Sequence, residues 1–446
     1  MGAGGRDFHD FNTVFREDPS VSVVAFTAAQ IPGIAGRIYP PSLAGPFYPE
    51  GIPIRPESEL PEIVRGEGVD TVILSYSDLS HDDVMHKASL VLSSGADFSL
   101  LGPRTTMLEA SRPVVAVTAV RTGSGKSPTS RRIGSLLLSA GLRVGLVRHP
   151  MPYGDLDTMR VQRFATLEEI DAAHPTLEER EEYEVPVSLG MTVYAGVDYA
   201  AVLELAQRES DVLVWDGGNN YLPFFRPDAH VVVTDPLRAG DELAYHPGET
   251  NLRLADVVVV NKVDSAERDA VARVLANVEL VNPSATVVLA RSPVTLEPGP
   301  PLRDKRVLVV EDGPTLTHGG MAFGAGTVAA LREGAAELVD PRPSARGVFA
   351  DVFAEYPHLG RVIPAMGYSD EMLRDLEATI DATDADVVVT GTPIDLGRLI
   401  TTRHPVRRAR YELHEVGRPT LLDALSPLLR LLRVSANGVG VPTPAA

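Results

Sequence analysis

One stretch restricts the fold more than any other. Val114-Val115-Ala116-Val117-Thr118-Ala119 is a continuous apolar run, and Val120-Arg121-Thr122-Gly123-Ser124-Gly125-Lys126-Ser127 follows it directly. A strand buried on both faces that turns through glycines into a helix is the setting of a phosphate-binding loop. Glycines let backbone N–H groups converge on phosphate oxygens, and the helix N-terminus adds partial positive charge. In that frame Gly123, Ser124, Gly125, Lys126 and Ser127 bind a nucleotide, with Lys126 reaching the terminal phosphates and the Ser127 hydroxyl ligating Mg²⁺. A chance Gly-Lys-Ser turn is the alternative, and the strand before and helix after argue against it. The first glycine of the general pattern is Val120 here. Arg121 stands where a subclass of such proteins, working as nucleotide-linked dimers, carries an extra lysine. It is therefore a candidate catalytic residue, and a homodimer is expected.

The rest of the chain repeats the strand-then-helix theme. Apolar runs recur at Val21–Phe26, Thr71–Ser75, Val144–Val147, Val212–Trp215, His230–Thr234, Val257–Val260, Thr286–Leu289, Arg306–Val310 and Val387–Thr390, with helix-length segments between many of them. This predicts an α/β fold: an N-terminal Rossmann-like domain over 20–110, then a P-loop NTPase domain with a mainly parallel sheet and a C-terminal α/β extension over 111–436. Residues 1–19, with Gly2, Gly4 and Gly5, read as a flexible arm, and 437–446 as a flexible tail. The proline- and glycine-rich loop Ile31–Pro56 is long enough to be functional or to pack on a neighbour.

Two further motifs follow the loop in the order nucleotide chemistry requires. Asp211-Val212-Leu213-Val214-Trp215-Asp216 is a buried strand ending in a carboxylate, the arrangement that holds Mg²⁺, so Ser127 and Asp216 are the metal candidates. Asn261-Lys262-Val263-Asp264 closes another strand. A carboxylate at Asp264 accepts from the two adjacent donors that guanine offers and adenine lacks. Lys262 would cover the base and Asn261 would tie loops together. This tetrapeptide favours GTP.

Arg131, Arg132, Arg148 and His149 are substrate candidates. Two lie on the helix after the loop, and two at the carboxyl end of the next strand, where open α/β sheets bind ligands. Their guanidinium forks suit a phosphorylated or carboxylated substrate. Pairing with the acidic stretch Glu178–Glu184 is the other reading. Glu311 and Asp312, at a strand end before Gly313-Pro314-Thr315-Leu316-Thr317-His318, are candidates for a catalytic base or metal ligand, and equally for turn and cap residues.

Composition narrows the function classes. The 446 residues carry 60 acidic and 41 basic side chains, a formal net charge of −19, which argues against nucleic acid or anionic membrane as the main partner. Cysteine is absent, which removes disulfides, thiolate chemistry and cysteine metal sites, and suits a cytoplasmic protein.

Gln30-Ile31-Pro32, Ile38-Tyr39-Pro40-Pro41-Ser42-Leu43-Ala44-Gly45-Pro46, Tyr76-Ser77-Asp78, Met85-His86-Lys87-Ala88-Ser89, the 118–127 loop and Glu311-Asp312-Gly313-Pro314-Thr315 together resemble an archaeal and bacterial P-loop family. It contains cyclic 2,3-diphosphoglycerate synthetase and predicted GTPases, and the resemblance spans roughly residues 20–430. It implies ATP-dependent closure of an intramolecular phosphoanhydride. Lys126, Ser127, Mg²⁺ and Asp216 would handle the nucleotide, and Arg131, Arg132, Arg148 and His149 would neutralise the substrate. ATP in the family and guanine at Asp264 pull in different directions. A GTP-hydrolysing switch or chaperone acting on a protein partner is the alternative function.

Overall fold

Val and Ile runs that are apolar on every residue have no face to give to water, so they stack side by side and are covered by helices. The computed structural model describes residues 1–438 except 3, 30–33, 151–153, 219, 318, 367–369 and 393–395. Gln30-Ile31-Pro32, His318 and the tail 439–446 lie outside the described residues. A nine-stranded sheet runs in the order His414–Glu415, Thr286–Arg291, Val257–Val260, Ala229–Thr234, Val114–Ala119, Val212–Asp216, Val144–Arg148, Thr192–Ala195, Gln162–Phe164. Neighbours are parallel except at the two edges, where the outermost strands are antiparallel. The loop-bearing strand is central and buried at every position. Val115, Val117 and Ala119 pack under the helix Lys126–Ser139, and Val114 and Ala116 pack on the opposite face.

The C-terminal extension is a second α/β unit with its own sheet and core. Its strands run Val294–Leu296, Val406–Tyr411, Val387–Gly391, Arg306–Asp312, and the last of these also pairs with Glu337–Leu338 and Ile363–Ala365. The chain then returns. Leu413, Leu421, Leu425, Leu428 and Leu432 insert into the core of the nine-stranded unit.

The N-terminal third departs from expectation. In place of one doubly wound sheet, its described residues form a three-stranded sheet (Phe26–Ala28, Ile52–Pro56, Ile38–Tyr39) and a parallel pair (Thr71–Ile73, Asp97–Ser99). Met1 and Gly2 bridge the two. The Met1 amino group donates to Ile73 O at 2.7 Å, and Gly2 N–H donates to Thr27 O at 3.0 Å. Nor are residues 1–19 a loose arm. Arg6–Asp10 is helical, Phe11–Phe15 continues it in a wider turn, and Phe8 and Phe11 are buried against Phe26 and Tyr39. The spacing of Phe8, Phe11 and Phe15 is that of one helical face. Among the described residues no helix is long and apolar enough to cross a membrane.

Candidate functional site

The carboxyl ends of the first unit's strands face the carboxyl ends of Arg306–Asp312 and Val387–Gly391 across a cavity of about 610 Å³. Its floor is the phosphate loop. Gly123 and Gly125 have φ of +82° and +112°, a region that L side chains rarely adopt. A side chain at Gly125 would also collide with the Asn261 amide. Asn261 Nδ2 donates to Ser124 O at 2.9 Å, and Lys262 Nζ donates to Gly123 O at 2.7 Å. Asn261 thus joins the loops, and Lys262 braces the phosphate loop while pairing with the buried Asp235 at 2.8 Å. Asp264 is exposed at the cavity wall and accepts the Ser292 N–H at 3.2 Å.

Lys126 pairs with Asp216, whose other oxygen lies 2.5 Å from Arg148 Nη1. Burial lowers the Lys126 pKa to about 8, although Asp216 opposes the shift. Burial alone would raise the Asp216 carboxyl, but Arg148 and Lys126 together hold it below the usual carboxylate range. Ser127 lines the cavity, and its hydroxyl has no hydrogen-bond partner among the described residues.

Arg121 is clasped from two sides. Asp78 of the N-terminal third and Asp241 each lie 2.6 Å from its guanidinium, which also stacks 3.6 Å over Tyr245. Burial would lower its pKa, but these partners outweigh it and raise it. Asp78 also accepts the Thr122 N–H at 3.0 Å, so the N-terminal third touches the phosphate loop directly.

The four substrate candidates separate. Arg131 and Arg148 line the cavity, and Arg132 and His149 do not. Arg148 is held by Asp216 and by Glu182, an ion pair within the acidic stretch that the sequence left as the other reading. Arg132 reaches Glu415 at 3.2 Å. His149 is buried. Its Nε2 lies 2.8 Å from Gly4 O, which can only accept, so Nε2 carries the proton and Nδ1 accepts from the Tyr199 hydroxyl. Burial depresses its pKa to about 4, so it is a neutral bridge to the N-terminal segment.

Both acidic candidates of the second unit lie in the cavity wall. Glu311 accepts the backbone N–H groups of Gly324, Gly326 and Thr327 at 3.0, 3.0 and 2.7 Å, capping the helix Ala325–Arg332. Asp312 Oδ2 accepts the Thr315 N–H at 3.1 Å. Of their two sequence readings, the geometry displays the cap and turn contacts.

Sequence reasoning missed Asn220 and Tyr411, both in the cavity wall, and did not foresee that the turn after Asp312, the short helix Gly313–Thr317, packs on the phosphate loop. Thr315 of that helix packs on Gly123, and beyond it Gly319 O accepts from Arg238 at 2.7 Å. Among the described residues no group of three or more His, Asp or Glu side chains is arranged to hold a metal by itself.

No family model matches the chain. It is 56% identical over 425 residues, 95% of each chain, to the arginine synthetase ArcE of Thermococcus kodakarensis. It is 26% identical over 81 residues, 18% of this chain and 19% of the other, to the cyclic 2,3-diphosphoglycerate synthetase of Pyrococcus furiosus. The likeness to that synthetase is therefore local, not the span of residues 20–430 expected from the motifs. Among solved structures, LpxK from Aquifex aeolicus in complex with ATP gives a TM-score of 0.42 at 14% identity, over 84% of this chain and 99% of that one. The hydrogenase maturation factor HypB from Archaeoglobus fulgidus gives 0.27 at 15% identity, over 40% and 81%. Scores this low assign no function.

Proposed function

Because the chain belongs to the arginine synthetase ArcE family, we propose that it is a nucleotide-dependent synthetase whose product is arginine. The observation that carries the reading is the pairing of a built phosphate loop with a cavity shared by a second α/β unit. One wall suits a nucleoside triphosphate and the rest leaves room for an acceptor. Cyclic diphosphoglycerate formation loses its support, because the relative matching nearly the whole chain is named for a different product. For the GTP-hydrolysing switch there remains the Asn261–Asp264 tetrapeptide, which bears on the base and not on a protein partner.

Making a guanidinium with a nucleoside triphosphate has a simple chemical logic. The acceptor is the ureido counterpart of arginine. Its ureido oxygen attacks the γ-phosphorus, the nucleoside diphosphate departs, and the oxygen becomes part of a phosphate leaving group. Ammonia then adds to that carbon and inorganic phosphate leaves, so the carbon gains a nitrogen and loses an oxygen. The chain's residues suit the first half. The loop N–H groups and Lys126 would hold the terminal phosphates, with Lys126 turning from Asp216 toward them. The hard oxygen donors Ser127 and Asp216 face the same cavity and fit Mg²⁺, which would neutralise phosphate charge. Arg148 would keep Asp216 ionised when Lys126 turns away.

The test is direct. Incubation with ATP or GTP, Mg²⁺, ammonium and citrulline, the ureido amino acid, should release arginine, diphosphate nucleotide and phosphate in equal amounts. Nucleotide consumption without arginine would refute the assignment. Running the two nucleotides side by side also reads whether Asp264 selects guanine.

A further inference from the structure

Among the described residues five cations line the cavity, and four of them are already neutralised. Lys126 has Asp216, Arg148 has Asp216 and Glu182, Lys262 has Asp235, and Arg121 has Asp78 and Asp241. The Arg131 guanidinium has no hydrogen bond or ion pair among the described residues. A guanidinium carries five N–H donors, and leaving it unpaired in a largely desolvated wall is costly unless an anion arrives. Arg131 sits four residues after Ser127, on the same face of the helix Lys126–Ser139 and one turn further from the loop. Its electrostatic neighbours are Asp216 and Arg148 on one side and Tyr411 and Glu412 of the second unit on the other. It therefore stands past the phosphate loop, where the two units meet.

We infer that Arg131 is the receptor for the α-carboxylate of the amino-acid acceptor and product. The inference rests on the reading of the product as arginine and adds where that amino acid is gripped. The terminal phosphates have their own partners in Lys126, Ser127 and the loop backbone, whereas the acceptor's carboxylate otherwise meets cations that are already paired. The planar fork of the guanidinium matches a carboxylate with two parallel hydrogen bonds. An acceptor held there would extend from the seam between the units back toward Lys126, with its ureido end toward the γ-phosphate.

The experiment compares L-arginine with agmatine, which is arginine without its carboxylate, by calorimetric titration of the full-length protein in the presence of ADP and Mg²⁺. The wild type should bind arginine more tightly than agmatine. Arg131→Ala should weaken arginine by roughly 10- to 100-fold and leave agmatine unmoved, so that the two ligands converge. Arg131→Lys should recover part of the difference, and it carries the test if the alanine variant does not fold. An arginine-to-agmatine ratio unchanged in both variants would overturn the inference alone. A loss of ADP affinity in parallel with arginine would overturn it too, by placing Arg131 on the nucleotide. A wild-type protein that binds no arginine while still binding ADP would overturn the proposed function, and this inference with it.

Discussion

Lys126 is held by Asp216 here, and on the proposed reading phosphates would replace that partner, so its chemistry at neutral pH depends on which anion holds it. Burial brings its pKa to about 8, even with Asp216 beside it. Phosphates that replace Asp216 bring more negative charge and raise that value. Two consequences follow. Lys126→Ala should lower nucleotide turnover by roughly 10²- to 10³-fold, read as phosphate release, and unchanged turnover would remove the loop from the mechanism. Nucleotide binding should also take up a proton as pH rises through about 8, with affinity falling over the same range. Titrations in buffers of different ionisation enthalpy measure that uptake. Stability moves the other way. Between about 8 and the ordinary 10.5 the unfolded chain holds the lysine proton and the folded one does not, so this group's contribution to stability rises with pH in that window. Opposite pH slopes for affinity and stability would separate Lys126 from any group that simply unfolds the protein.

At the scale of elements, carboxylates at strand ends divide by what the next element offers them. Asp216 is paired with two cations, which hold its pKa down, whereas Glu311 accepts backbone N–H groups, and burial pushes its pKa above the ordinary value. Glu311→Ala would orphan the three N–H groups that begin the helix Ala325–Arg332 and should cost at least about 2 kcal/mol, seen as a lower urea midpoint. No change in midpoint would show that water satisfies those groups equally well. The contrast also marks what could be read beforehand. Strands such as Val114–Ala119 and Val257–Val260 were legible because every residue in them is apolar, and the loop because glycine, lysine and serine follow at fixed spacing. The role of Glu311 was not, because its partners lie 13 to 16 residues later and only tertiary packing brings them back. Arg131 and Arg132 are adjacent in sequence, yet one faces the cavity and the other Glu415; which helix face meets the second unit is not a local property. The segment around Phe8 was hidden by its flanking glycines, although its aromatic spacing is helical.

Across the whole molecule, the chain leaves the nine-stranded unit after Thr286–Arg291, builds the second unit, and comes back. His414–Glu415 pairs with Thr286–Arg291, closing the excursion at the edge where it began. Leu421, fully buried, packs with Val115, Val231 and Val288 in the first core, although more than a hundred residues of the second unit precede it. The cavity lies between the bodies that this excursion brings together, so both crossings hold its two walls against each other. Leu421→Ala should therefore destabilise the first unit by about 2–5 kcal/mol. Native-state hydrogen exchange should quicken in Val114–Ala119 and remain near wild type in Arg306–Asp312. Val309→Ala, at a fully buried site of the second core, should do the reverse. Equal acceleration of both strands in either variant would mean that the two cores unfold as one. The opening of the cavity would then be tied to global stability, and acceptor entry could not proceed by relative movement of the units.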